Sequence, residues 1–269
     1  GRRPPMKLSG PLLAAAATAL RAGRSSLNLL LSAAWDQSAT LPVLPSGERL
    51  ELRTRDTKEA GVGGRVWASA PVLCDWLLTQ DLRGERVLEL GSGTGACGLF
   101  AAARGAESVT LTDGGPDVLL ELLAANVERN RRHLGAADVR CQRLNWGEGA
   151  ETSLSADFSL VLGADVTYDD DAHAPLCKTL AAVLAAQPKA PPRVVLAVEH
   201  GAPIPVGKTF DVAGLFRDDG VDHLVAAAME ERLVVAPLGE EPAMDAFQWE
   251  LGAFADAGPF LVEVSRGVG

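Results

Sequence analysis

From Arg86 onward, short apolar runs alternate with longer stretches whose apolar residues recur every three or four positions. The run RVLEL (86–90) enters a glycine-rich turn, and ACGLFAAARG (96–105) has the character of a helix ending at Gly105. SVTLTD (108–113) predicts a second strand, DVLLELLAANVERN (117–130) a helix, and DVRCQRLNW (138–146) a third strand. FSLVLGAD (158–165) predicts a fourth strand, residues 172–186 a helix, and RVVLAV (193–198) a fifth strand after the loop QPKAPPR. A further helix begins within Val212–Arg217, and ERLVVAPL and PFLVEVSR supply the last two strands. Short apolar strands separated by helices predict an α/β fold with a parallel sheet covered on both faces. Ahead of this pattern, LPVLPSGERLELRTRD (41–56) predicts an appended hairpin or strand pair. No internal repeat is found.

A chain of 269 residues suffices for one large domain, which we place at 41–269 behind an N-terminal extension at 1–40. The first 35 residues carry Arg2, Arg3, Lys7, Arg21 and Arg24 but no acid. Two readings stay open there: an organelle transit peptide, or an amphipathic or poorly ordered helix. No apolar run approaches the roughly 18 residues that a membrane span needs. The net charge of −10, from 35 acids against 25 bases, argues against a broad nucleic-acid face and favours cationic partners. Cys74, Cys97, Cys141 and Cys177 lie far apart, as do His133, His173, His200 and His223, so neither set has metal-ligand spacing and no metal is expected. Reduced cysteines point to a reducing, cytoplasmic setting.

Chemistry enters at VLELGSGTGACGLF (87–100). Gly91, Gly93 and Ala96 fit a dinucleotide loop, whereas Gly91, Gly93 and Gly95 fit a loop that receives S-adenosylmethionine. Asp113 ends the second strand 22 residues after Gly91, where its carboxylate can accept both hydroxyls of an adenosine ribose, which both cofactors carry. Three features favour the sulfonium cofactor. Glu89 would repel a pyrophosphate but suits an ammonium, unless it is merely paired with a nearby arginine. Trp146, in LNWG (144–147), is placed to stack on adenine, or is simply a rim tryptophan. VLGADVTYDDDAH (161–173) sets an acidic, hydrogen-bonding cluster at the mouth of the fourth strand.

Together with GGRVWASAPVLCDWLL (63–78), LTD (111–113) and GADVTYD (163–169), these motifs resemble the class I methyltransferases, and within them methyltransferase family 16, the lysine protein methyltransferases. The resemblance covers roughly residues 45–200. It implies a Rossmann-like, seven-stranded, mostly parallel sheet with helices on both faces, and a monomer that methylates a lysine presented by a protein. It places cofactor contacts at Trp67, Gly91, Ser92, Gly93, Asp113, Trp146 and Ala164, and matches the family's D-x-x-Y motif to Asp165 and Tyr168. The chain departs from the family pattern after the fifth strand, where Glu199 and His200 stand in place of a basic residue.

A lysine amine is mostly protonated at neutral pH, and making it neutral costs roughly 4–5 kcal/mol. Desolvation in an apolar channel helps, but the Asp165 carboxylate opposes proton loss by stabilising the ammonium. Asp165 is therefore expected to capture and orient the amine or to shape the cofactor end of the strand, with Tyr168 walling the channel. Asp169–Asp171 read first as acids at a helix N-terminus. The histidines and Cys97 read as packing or surface groups. The same scaffold supports three alternatives: a small-molecule or nucleic-acid N-methyltransferase, a catalytically silent cofactor-binding module, and, more distantly, an NAD-dependent oxidoreductase.

Overall fold

The apolar runs become the central strands, because a parallel strand buried on both faces needs apolar side chains at every position. A computed structural model describes residues 39–147, 154, 157–198, 224, 227–238 and 260–267. The N-terminal extension up to residue 38, the helix expected from Val212, and Glu199 and His200 lie outside the described residues. Ala39–Gly269 forms one compact unit.

The elements in chain order are α1 (Thr57–Ala60), α2 (Ser69–Leu78), β1 (Arg86–Leu90), α3 (Ala96–Ala103), β2 (Ser108–Asp113) and α4 (Asp117–Asn130). There follow β3 (Asp138–Arg143), β4 (Leu160–Ala164), α5 (Asp170–Ala186), β5 (Arg193–Val198), β6 (Leu233–Pro237) and β7 (Phe260–Arg266). The seven strands form one sheet in the order β3-β2-β1-β4-β5-β7-β6. All neighbouring pairs are parallel except those made by β7, which runs antiparallel to β5 and β6. The expected seven-stranded, mostly parallel sheet is the one observed. Its chain path moves outward from β1 to β3 and returns to β4 on the other side of β1, which opens a crevice above those strand ends.

Alternation along β1 divides the core. Val87 faces α2, α3 and α4 with Leu73, Leu77, Phe100 and Leu123, whereas Leu88 and Leu90 face α5 with Leu176 and Leu180. Fully burying each such leucine contributes about 1.5–3 kcal/mol. At the start of α5, Asp169 is the N-cap and its side chain accepts from the Asp171 N–H, so the helix begins two residues earlier than the apolar spacing predicts.

The N-terminal strand pair is corrected. A turn forms where Gly47 N–H donates to Leu44 C=O at 2.8 Å, but residues 41–56 contain no strand. The segment LELRTRD makes no strand; the backbone of Glu51 and Arg53 bonds instead to two asparagines of α4. The third strand is also shorter than expected and stops at Arg143, which leaves Leu144–Trp146 to turn across the crevice.

Candidate functional site

At the carboxyl ends of β1, β2 and β4 lies an open crevice of about 380 Å³. All ten residues singled out in the sequence line it: Trp67, Glu89, Gly91, Ser92, Gly93, Asp113, Trp146, Ala164, Asp165 and Tyr168. Residues separated by up to a hundred positions meet here because the strands are parallel and all present the same end.

The glycine turn between β1 and α3 has little room for side chains. Gly91 has φ +62, and a Cβ there would lie 2.8 Å from Val166 and 3.1 Å from the Trp146 indole. Gly93 has φ +52, and its Cβ would lie 2.7 Å from the Gly63 carbonyl oxygen. Backbone in this left-handed region favours glycine. Ser92 fastens the turn to the next strand: its N–H donates to Thr112 C=O at 2.8 Å, and its Oγ accepts from Thr112 N–H at 2.9 Å. That hydroxyl donates in turn to Glu89 C=O at 3.2 Å.

Three carboxyl groups surround the turn in different environments. Glu89 is 2% exposed, and its Oε2 accepts from Gly98 N–H at 3.0 Å, an otherwise orphaned donor in the first turn of α3. Its partner is thus backbone, not the arginine that the sequence left open. Burial pushes its carboxyl up to about 7, although the Gly98 N–H and the Ser92 hydroxyl pull the other way. Asp113 uses both oxygens: Oδ2 accepts from Gly93 N–H and Oδ1 from Gly115 N–H, each at 2.8 Å. A carboxylate accepts about four hydrogen bonds, so each oxygen keeps capacity for a ligand hydroxyl.

Asp165 follows β4 with φ +58, a conformation that costs a non-glycine residue about 1–3 kcal/mol. Its N–H donates to Ala197 C=O at 2.9 Å, which locks the turn to β5. Burial raises its carboxyl to about 6. Tyr168 stands at the crevice mouth and is 62% exposed. The buried His173 anchors this turn through Nε2 against Thr167 C=O at 2.9 Å. On the opposite wall, Trp67 Nε1–H donates to Val62 C=O at 2.9 Å. Among the described residues, no group of three His, Cys, Asp or Glu side chains is placed to hold a metal, and no helix is long and apolar enough to cross a membrane.

Sequence reading missed the residues that shape the walls, above all Gly63, Val166 and Asn126. Asn126 alone left a signal: it is a polar residue on the apolar face of α4, between Leu122 and Leu123 on one side and Asn130 on the other.

A family model described as lysine methyltransferase matches residues 46–202. Among curated proteins, the chain is 41% identical over 137 residues to protein N-lysine methyltransferase METTL21A of Danio rerio, covering 50% of this chain and 61% of that protein. It is 33% identical over 202 residues to EEF1A lysine methyltransferase 3 of Mus musculus, covering 73% of this chain and 84% of that protein. It is 34% identical over 124 residues to calmodulin-lysine N-methyltransferase of Arabidopsis thaliana, covering 45% of this chain and 40% of that protein. The chain thus spans about three fifths of the length of the METTL21A relative.

Proposed function

The chain belongs to the lysine methyltransferase family, and on that premise we propose that it transfers a methyl group from S-adenosylmethionine to a lysine side chain of a protein. The observation that carries this reading is the meeting of Glu89, Asp113 and Asp165 around one glycine turn, at the ends of three adjacent strands. The fit to this cofactor is supported by the turn itself, where a Cβ on Gly91 or Gly93 would fill the cradle. The buried Glu89 carboxyl supports it too, since that group suits an ammonium and disfavours a pyrophosphate. Asp113 would hold the ribose hydroxyls with the lone pairs left free by Gly93 and Gly115, and Trp146 would flank the adenine. When bound, the cofactor supplies an electrophilic methyl group on a positively charged sulfur.

The chain's own task is to deliver a neutral amine. Asp165 captures the incoming ammonium and orients its nitrogen, while the left-handed turn fixes its backbone against β5. Its carboxyl at about 6 is also a better proton acceptor than an ordinary aspartate at 3.8. Tyr168, at the mouth, guides the aliphatic stem of the acceptor side chain. Four free thiols accord with a reducing setting.

The test is twofold. Calorimetry should show S-adenosylhomocysteine bound and NAD ignored. Incubation with a methyl-labelled donor and a fractionated lysate, followed by mass spectrometry, should then place label on protein lysine. Label confined to nucleic acid or to a small metabolite would overturn the acceptor assignment.

A further inference from the structure

Asn126 stands behind the crevice rather than in it. It is fully buried on α4, and its side-chain amide makes three hydrogen bonds. Oδ1 accepts from Arg53 N–H at 2.8 Å, while Nδ2 donates to Arg53 C=O at 3.1 Å and to Thr94 C=O at 2.9 Å. One helical turn later, Asn130 Oδ1 accepts from Glu51 N–H at 2.8 Å and its Nδ2 donates to Glu51 C=O at 3.1 Å. Four residues of helix rise ~6 Å, and two residues of extended chain span ~6.6 Å. The two amides therefore offer donor and acceptor pairs at the spacing of a neighbouring strand. Residues 51–53 dock on a helix as they would on a sheet edge.

Only Asn126 reaches further. Its bond to Thr94 C=O enters the glycine turn, whereas the spare donor of Asn130 goes to Asn126 C=O within the helix. Beyond Arg53, the docked strap becomes the facing wall of the crevice. Arg55 N–H donates to Gly64 C=O at 2.8 Å, Asp56 caps α1, and Gly63 packs against Gly93. One buried amide thus ties together the turn on one wall and the strap that builds the other. Removing it takes the partner from the buried Thr94 carbonyl and from both backbone polar groups of Arg53.

We infer that Asn126 is a positioning residue for cofactor binding, holding the 91–95 turn and the 51–67 strap at the separation the ligand requires. The inference rests on the cofactor reading given above. Asn126→Ala and Asn130→Ala both release the strap from α4, but only the first frees the glycine turn.

The experiment uses the full chain, with S-adenosylhomocysteine as the calorimetric probe and amide hydrogen exchange on the ligand-free protein. Asn126→Ala is expected to weaken binding at least tenfold and to speed exchange at residues 91–95. Asn130→Ala should lower the melting temperature comparably, weaken binding less than threefold, and leave exchange in the turn unchanged. Asn126→Ser, which keeps a polar group in place, serves if the alanine variant fails to fold and should show the same direction. Equal binding losses in both positions, or a turn that exchanges normally in the Asn126 variants, would overturn the inference. A wild-type chain that ignores S-adenosylhomocysteine would overturn the cofactor reading and this inference with it.

Discussion

Replacing Glu89 with glutamine isolates what its charge does. The carboxyl is buried at the end of β1, and burial raises it from an ordinary 4.5 to about 7. Because the folded value lies above the unfolded one, the folded chain retains a proton that the unfolded chain releases between those two values. Stability therefore falls as pH rises through that window, and the full penalty applies above it. The rise to about 7 corresponds to about 3 kcal/mol. Glutamine keeps an oxygen to accept from Gly98 N–H but carries no charge, so it avoids the penalty. In a domain of this size, about 1 kcal/mol moves the melting temperature by about 2–4 °C. The variant should then melt about 6–12 °C higher than wild type at pH 8, and no more than about 3 °C higher at pH 5, where the wild-type side chain is mostly protonated. Calorimetry at pH 8 should at the same time show S-adenosylhomocysteine bound at least tenfold more weakly, since the amide no longer attracts an ammonium. Thermal unfolding at the two pH values checks the first half. A stability difference that does not depend on pH, or a variant less stable than wild type at pH 8, would refute the reasoning about burial. Unchanged binding would remove Glu89 from the cofactor site.

Asp113→Ala removes the acceptor for two N–H groups at once. With charged hydrogen bonds worth about 1.5–3 kcal/mol each, it should cost about 3 kcal/mol or more by denaturant titration and abolish S-adenosylhomocysteine binding; retained binding would count against the ribose assignment. Gly93→Ala forces a Cβ to within 2.7 Å of a backbone oxygen at φ +52. It should destabilise by about 1–2 kcal/mol from the left-handed backbone alone and weaken the cofactor tenfold or more, read by calorimetry. Asp165→Asn keeps a side chain that tolerates left-handed backbone, so it should fold and bind cofactor while losing methyl transfer at least a hundredfold. If Asp165 captures an ammonium as proposed, its carboxyl at about 6 must be ionised, so initial rates of the wild-type chain should climb as pH rises through about 6. A flat profile from pH 5 to 7 would sink that role.

That these ten residues share one crevice was legible because the chemistry of a parallel sheet is concentrated where strands turn into helices. Gly91, Gly93, Asp113 and Asp165 each stand at a strand end or within three positions of one, a place that periodicity locates well. What surrounds them was not legible, since it depends on which distant segment lies against the turn. Nothing near Gly63 announces that its carbonyl will touch Gly93.

The segment LELRTRD shows the same limit from the other side. It suggests half of a strand pair, because strands are the usual partners of extended chain. Pairing, however, needs only a row of donors and acceptors at the right pitch. Asn126 and Asn130 provide one from a helix, with a side chain standing in for each peptide group. An asparagine interrupting the apolar face of α4 is therefore better read as half of a pairing whose other half lies elsewhere in the chain. Buried amides seldom persist unsatisfied, so the repeat at positions 126 and 130 carried information about residues 51–53, over seventy positions away. The glycine turn gains its support through that same route, since the amide that completes the strap's pairing also donates to the Thr94 carbonyl. Fold and site are coupled at one side chain. This explains why a residue outside the crevice is expected to control how well the crevice binds.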